Sequence, residues 1–153
     1  MSEFDVHLLA YFSHLKLPGR DRVRQLDAGL LYQRTSTKGA QVTAGLLRAR
    51  YERDAVVEGQ QHALTHRIAW LANGRLTIPL PERVRIYLAD TRGLEDSPRA
   101  PDDATNRREP QPATLTHQVE VGAQLPLGHS DSLSFSAFRI TRGYFGLDSS
   151  GAF

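Results

Sequence analysis

The feature that most constrains this chain is a period of two. Apolar and polar residues alternate along most of its length, and only a β-strand puts successive side chains on opposite faces. In a first run Phe4, Val6, Leu8, Ala10 and Phe12 share a face, with His7, Leu9, Tyr11 and Ser13 opposite. Leu26, Ala28, Leu30 and Tyr32 share a face of the second, against Gln25, Asp27, Gly29 and Gln33. In the third, Thr43, Gly45, Leu47, Ala49 and Tyr51 oppose Ala44, Leu46, Arg48, Arg50 and Glu52. His62 to Leu71 is a less regular fourth run, with Ile68 and Trp70 on one side. From Arg75 to Thr91 one parity holds Leu76, Ile78, Leu80, Val84, Ile86 and Leu88. Pro79 and Pro81 interrupt it, which suits a bulge or an edge position. Leu115, Val119, Val121, Ala123 and Leu125 form a further face, and Leu133, Phe135 and Ala137 begin the last.

Turn chemistry separates these runs. Pro18-Gly19-Arg20-Asp21, Ser36-Thr37-Lys38-Gly39 and Gly128-His129-Ser130-Asp131 are built of turn-forming residues. Asn73-Gly74 is the strongest short hairpin signal. Asp54 to Gln61 is a looser link, and residues 92–113, rich in proline and charge, read as a long exposed loop. These signals predict an all-β antiparallel domain over residues 1–153. Seven runs are clear, and an eighth would have to come from the ambiguous tail, 144–153. A helical reading competes over residues 40–71, where Leu46, Leu47, Val57, Leu64, Ile68 and Leu71 sit near helical spacing. Gly45, Gly59, Val56 and Val57 weigh against it, because glycine and β-branched residues are poor helix formers.

Composition removes several function classes. The chain has 153 residues, 40% hydrophobic and 24% charged, which is globular rather than disordered. It has no cysteine, so disulfide frameworks, thiolate metal sites and cysteine nucleophiles are excluded. Lys16 and Lys38 are the only lysines among its 19 basic residues. The arginines are interleaved with acids, the net charge is +2, and no basic stripe appears, which disfavours nucleic acid as a partner. No apolar run reaches the roughly 18 residues of a membrane-spanning helix. The start, Met1-Ser2-Glu3-Phe4-Asp5, is not read as a signal peptide, because no basic region precedes an apolar run.

Motifs that carry chemistry are weak. His62 and His66 have metal-ligand spacing on a helix, but on a strand they stand about 13 Å apart, at ~3.3 Å per residue. Gly128 to Ser132 holds the residue types of a hydrolytic triad, yet neighbouring residues rarely converge into triad geometry. An enzyme reading would rest on His129 and Ser132. No catalytic, cofactor or metal site is assigned. Arg48, Arg50, Glu52, Arg83, Arg85 and Glu120 fall on polar faces. They form an ion-pair network inside a narrow barrel, which side chains fill, or are solvated on a soluble sandwich.

Alternation does not say which face is the outside. A soluble sandwich buries its apolar face, whereas a membrane barrel turns it to lipid. Aromatic residues near the ends of the apolar faces (Phe4, Phe12, Tyr32, Tyr51 and Trp70) suit an interfacial girdle. Several runs approach the ~9–11 residues that cross a bilayer. Links at 17–22, 54–61 and 92–113 would lie at one end, and tighter ones at 36–39, 72–74 and 128–131 at the other. In these features the chain resembles small bacterial outer-membrane β-barrel proteins in general, and Phe153 is similar to their terminal aromatic. The resemblance implies an up-and-down barrel of about eight strands in the outer membrane. Its role would be structural, adhesive or lipid-contacting, with membrane lipid or lipopolysaccharide as partner and the 92–113 loop as recognition surface. The alternative is a soluble β-sandwich, cytoplasmic or in a virion, that binds protein partners as a virion or secretion-machine component.

Overall fold

The computed structural model describes the backbone of residues 3–16, 22–57, 61–127, 131–146 and 148–152, and their side chains except at 3–4, 9–16, 56–57 and 61–63. Seven strands form one antiparallel sheet, in the order of the chain. They are β1 (Glu3–Lys16), β2 (Arg22–Thr35), β3 (Gln41–Val57), β4 (Gln61–Pro79), β5 (Arg85–Glu95), β6 (Thr114–Pro126) and β7 (Ser132–Arg142). This is the expected all-β, up-and-down arrangement. Within the stretch where a helix competed, residues 41–57 and 61–71 are strand, not helix. Among the described residues β1 and β7 are edges, with no pairing between them. The tail supplies no eighth strand there: Asp148 folds it into a turn by accepting N–H bonds from Ser150 at 2.8 Å and Ala152 at 3.0 Å.

The hairpin expected at Asn73-Gly74 is not a turn. β4 runs straight through it, with Gly74 paired to Ala44 on one side and Asp90 on the other. The reason is parity. A two-residue turn would move the apolar face from even to odd positions, yet Ile68, Trp70, Leu76 and Ile78 are all even. The chain reverses instead in a short 3₁₀ turn, Pro81–Arg83, where Glu82 (φ 62°) and Arg83 (φ 63°) are both left-handed. That conformation ordinarily selects Asn-Gly, so Glu-Arg gives no sequence signal for it. The Pro79/Pro81 interruption is thus a reversal rather than a bulge. Asn73 has another use, because its Oδ1 accepts the Arg92 N–H at 2.8 Å. That bond continues the β4–β5 ladder past its last backbone pair, Gly74↔Asp90.

The described connections 36–40 and 80–84, and the link from β6 to β7, share one end of the sheet, the turn end. Connections 17–21, 58–60 and 96–113 join strands at the other, the loop end.

Candidate functional site

Exposure identifies the two faces. On β2 the even positions are exposed and the odd ones half-buried, and the exposed set includes Leu26, Leu30 and Tyr32. Register carries that face across the sheet. Leu8 opposes Leu30, which opposes Leu46. Leu76 opposes Leu88, then Val121, then Ala137. These side chains are exposed, from 38% for Leu76 to 81% for Leu8. The buried apolar set among the described residues is small: Ala49, Ala55, Ala100, Ala104, Ala113, Leu71 and Tyr51. The apolar face is the outside of this sheet.

The opposite, inner face is the more polar one. Gln25, Asp27, Gln33, Thr43, Arg67, Arg75, Thr77, Tyr87, Gln118, Glu120 and Gln124 lie on it. Val23, Leu31, Leu47, Leu71, Ile140 and Phe138, the last opposite Glu120 on the edge strand β7, are apolar residues on the same face. Toward the loop end, segment 96–113 folds down over the inner face of β3 and β4. Asp96 accepts bonds from the Tyr51 hydroxyl and from Arg53 Nη1, the latter at 3.1 Å. Arg53 Nη1 also donates to the Ser97 carbonyl at 2.6 Å, and Arg67 Nη1 to the Ala113 carbonyl at 2.9 Å. The Ser97 hydroxyl closes the segment on itself by donating to the Pro112 carbonyl at 2.8 Å. Ser97, Ala100, Ala104, Pro110, Gln111 and Ala113 are buried. The stretch read as a long exposed loop therefore begins as strand, since Arg92 to Glu95 belong to β5, and continues as a cap. The tail joins this cap, with the Thr105 N–H donating to the Gly151 carbonyl at 2.9 Å. On the outside of the cap Arg108 sits 2.8 Å from Asp102 and holds that carboxyl below the ordinary aspartate range. Hydrogen bonds from Ser150 and Ala152 do the same for Asp148.

Toward the turn end the inner face forms a concave hollow of about 430 Å³, lined by residues that include Thr43, Arg75, Arg85, Tyr87, Gln124 and Ser134. Arg75 lies 4.3 Å above the Tyr87 ring, and the Tyr87 hydroxyl donates to Glu120 at 2.6 Å. Gly122 leaves room for the ring: a Cβ there would stand 2.5 Å from Tyr87 Cζ. Gly122→Ala is expected to push the phenol off Glu120 and lower stability, because the ring has no other place to go. Urea unfolding followed by tyrosine near-UV signal checks this, and an unchanged midpoint would contradict it.

The residues expected to form one interior network divide. Arg85 and Glu120 are on the inner face. Arg83 is exposed in the 80–84 turn. Arg48, Arg50 and Glu52 are on the outer face, where Arg48 lies between Ala28 and Trp70 and Arg50 between Leu26 and Ile68. Arg50 pairs with Glu52 at 2.5 Å. The parity of β3 was read correctly, but both of its faces mix apolar and polar residues, so composition could not say which one was inside. The inner-face pairs of Arg53 with Asp96 and of Tyr87 with Glu120 were not singled out, because they join residues far apart in sequence.

The expected girdle divides as well. Tyr32 and Trp70 are exposed on the outer face. Tyr51 points inward, is 2% exposed and bonds Asp96, so it is not a girdle residue. The side chains of Phe4 and Phe12, and of His62, lie outside the described ones, as do His129 and Phe153. No group of three or more metal-ligating side chains occurs among the described residues. No helix among them is long and apolar enough to cross a membrane, which says nothing of strands. No protein-family model, curated protein or solved structure matches the chain.

Proposed function

We propose that this chain forms the wall of a small outer-membrane β-barrel with a structural, lipid-contacting role. The observation that carries this reading is the inversion of the sheet. Its large apolar side chains are exposed on one face, while the polar face is the one that folds over itself and takes the cap. A soluble domain of this size hides its large apolar residues, and a contiguous exposed apolar face marks a surface that meets lipid or a partner. A lipid-facing barrel wall has this polarity.

The shape of the apolar area supports the same reading. On β2 it runs from Leu26 to Tyr32, roughly 20 Å at ~3.3 Å per residue, close to the ~25 Å band of a membrane barrel. On β3 it runs from Val42 to Leu46, which in register oppose Arg34 and Leu30. The band is shorter on β3 and lies toward the turn end there, while exposed Leu64, Ile68 and Trp70 extend it toward the loop end on β4. Arg48 and Arg50 interrupt the band on β3 toward the loop end, level with Ala28 and Leu26 on β2 and with Trp70 and Ile68 on β4. An outward arginine costs about 2–4 kcal/mol at a bilayer midplane but about 0–1 kcal/mol at the interface, so on this reading the level of Arg48 and Arg50 is the level of the headgroups. The cap fills the inner face at the loop end, which fits a plugged wall better than an open channel.

The test is direct. The whole chain is folded into phosphatidylcholine vesicles and run on a denaturing gel with and without heating. Heat-modifiable mobility is expected, with precipitation when detergent and lipid are withheld. A monodisperse, detergent-free species with native near-UV circular dichroism would sink the membrane reading and favour a soluble sandwich.

A further inference from the structure

We propose that Arg22, Arg24, Arg48 and Arg50 form a docking site for the headgroup phosphates of a phosphorylated glycolipid of the lipid A class, whose acyl chains lie on the apolar band beside it. The inference rests on the membrane reading above and adds to it a ligand and its residues.

All four guanidinium groups are on the outer face of two paired strands, and all four residues are exposed. In register Arg22 opposes Asp54, Arg24 opposes Glu52, Arg50 opposes Leu26 and Arg48 opposes Ala28. Four cations face two carboxylates, which leaves two positive charges in excess. Arg50 alone of the four is in an ion pair among the described residues. Two adjoining hollows lie among these side chains. One, of about 290 Å³, is lined by Arg24, Gln25, Leu26, Arg50 and Glu52. The other, of about 210 Å³, is lined by Arg22, Arg24, Glu52, Asp54 and Leu64.

The chemistry selects the occupant. A guanidinium grips a phosphate in a two-pronged geometry, and several arginines on one rigid surface can hold one or two such groups. The cluster also borders apolar surface: Leu26 lines one hollow, and Ile68 and Trp70 flank Arg50 and Arg48 on β4. An amphiphile with a phosphate head and a hydrocarbon body matches this border, whereas a free anion would use only the arginines. The site is at the loop end, the end from which the 96–113 cap folds.

Trp70 is the only tryptophan and stands directly across from Arg48, so it reports on the site. The whole chain, folded into phosphatidylcholine vesicles, is titrated with lipid A while Trp70 emission is followed. A saturable shift is expected. Arg48→Gln with Arg50→Gln should weaken the apparent affinity about tenfold or more, as should removing the lipid's phosphates. Arg48→Lys with Arg50→Lys should restore only part of it, because an ammonium cannot chelate a phosphate in two places. Arg34→Gln, on the same face toward the turn end, should leave it unchanged. An identical titration in the double glutamine variant overturns the site. So does displacement of the lipid by inorganic phosphate at equal concentration, since the apolar contact would then contribute nothing. A chain with no heat-modifiable mobility before lipid A is added overturns the membrane reading instead.

Discussion

Replacing Asp96 with alanine is expected to loosen the cap from the inner face and to destabilise the protein by about 3 kcal/mol. The Arg53 side chain is only 6% exposed, and the Asp96 carboxylate is its ion-pair partner at 3.1 Å. Removing that partner leaves a guanidinium buried, together with the Tyr51 hydroxyl that donates to the same oxygen. Breaking a buried pair from one side costs about 3–5 kcal/mol. The lower end applies because the Asp96 side chain is 44% exposed and water reaches it. Asp96→Asn keeps an acceptor and should cost less. The measurement is limited trypsin digestion of the folded chain. Cleavage after Arg99, Arg107 and Arg108 should accelerate in Asp96→Ala, while cleavage within the strands stays slow. Equal rates in the two proteins would mean that other contacts hold the cap.

A single methyl group on β2 is expected to do comparable damage. Gly29 packs so closely on β3 that an added Cβ would stand 2.1 Å from the Leu46 carbonyl oxygen and 2.7 Å from Leu47 Cα. Both are backbone atoms of a paired strand and cannot rotate away. Gly29→Ala therefore forces β2 and β3 apart, at about 3 kcal/mol or more, the upper end for overpacking. Gly45 is the internal control, because a Cβ there meets nothing nearer than Leu31 Cδ1 at 3.4 Å. Gly45→Ala should stay within about 0.5 kcal/mol of the parent. Unfolding midpoints in urea, read in vesicles for both variants, compare them. Equal losses at the two positions would refute the close approach.

Much of this architecture was legible in the residues. Alternation is a local property, so the strands and their faces followed from Val6 and Leu8, or from Leu26 and Leu30, without tertiary information. The reversal at 81–83 was not legible, because Glu82 and Arg83 adopt a backbone that their side chains do not advertise. The strand through Asn73-Gly74 could have been read from the unbroken even parity on either side. The outward direction was illegible in principle, since the same dyad serves a core or a bilayer. The cap was illegible for a different reason. Asp96 reaches Arg53 across 43 residues and Arg67 reaches Ala113 across 46, and composition makes such a segment resemble a solvated loop.

The connections at the turn end share a property with reach beyond the turns themselves. Those at 36–40, 80–84 and 127–131 each hold five residues, counting the two that lead into and out of the 3₁₀ turn. An odd count hands the outward side from even to even or odd to odd, whereas the 18 residues between Glu95 and Thr114 switch it. Connections here therefore act as phase keepers. Adding two residues to one lengthens a loop and changes nothing behind it. Adding one must be held within the turn, because an extra residue carried into a strand turns the side chains beyond it to the opposite face or demands a compensating bulge. Within the strands of this topology a frame of two, laid over the genetic frame of three, governs which insertions the wall can absorb.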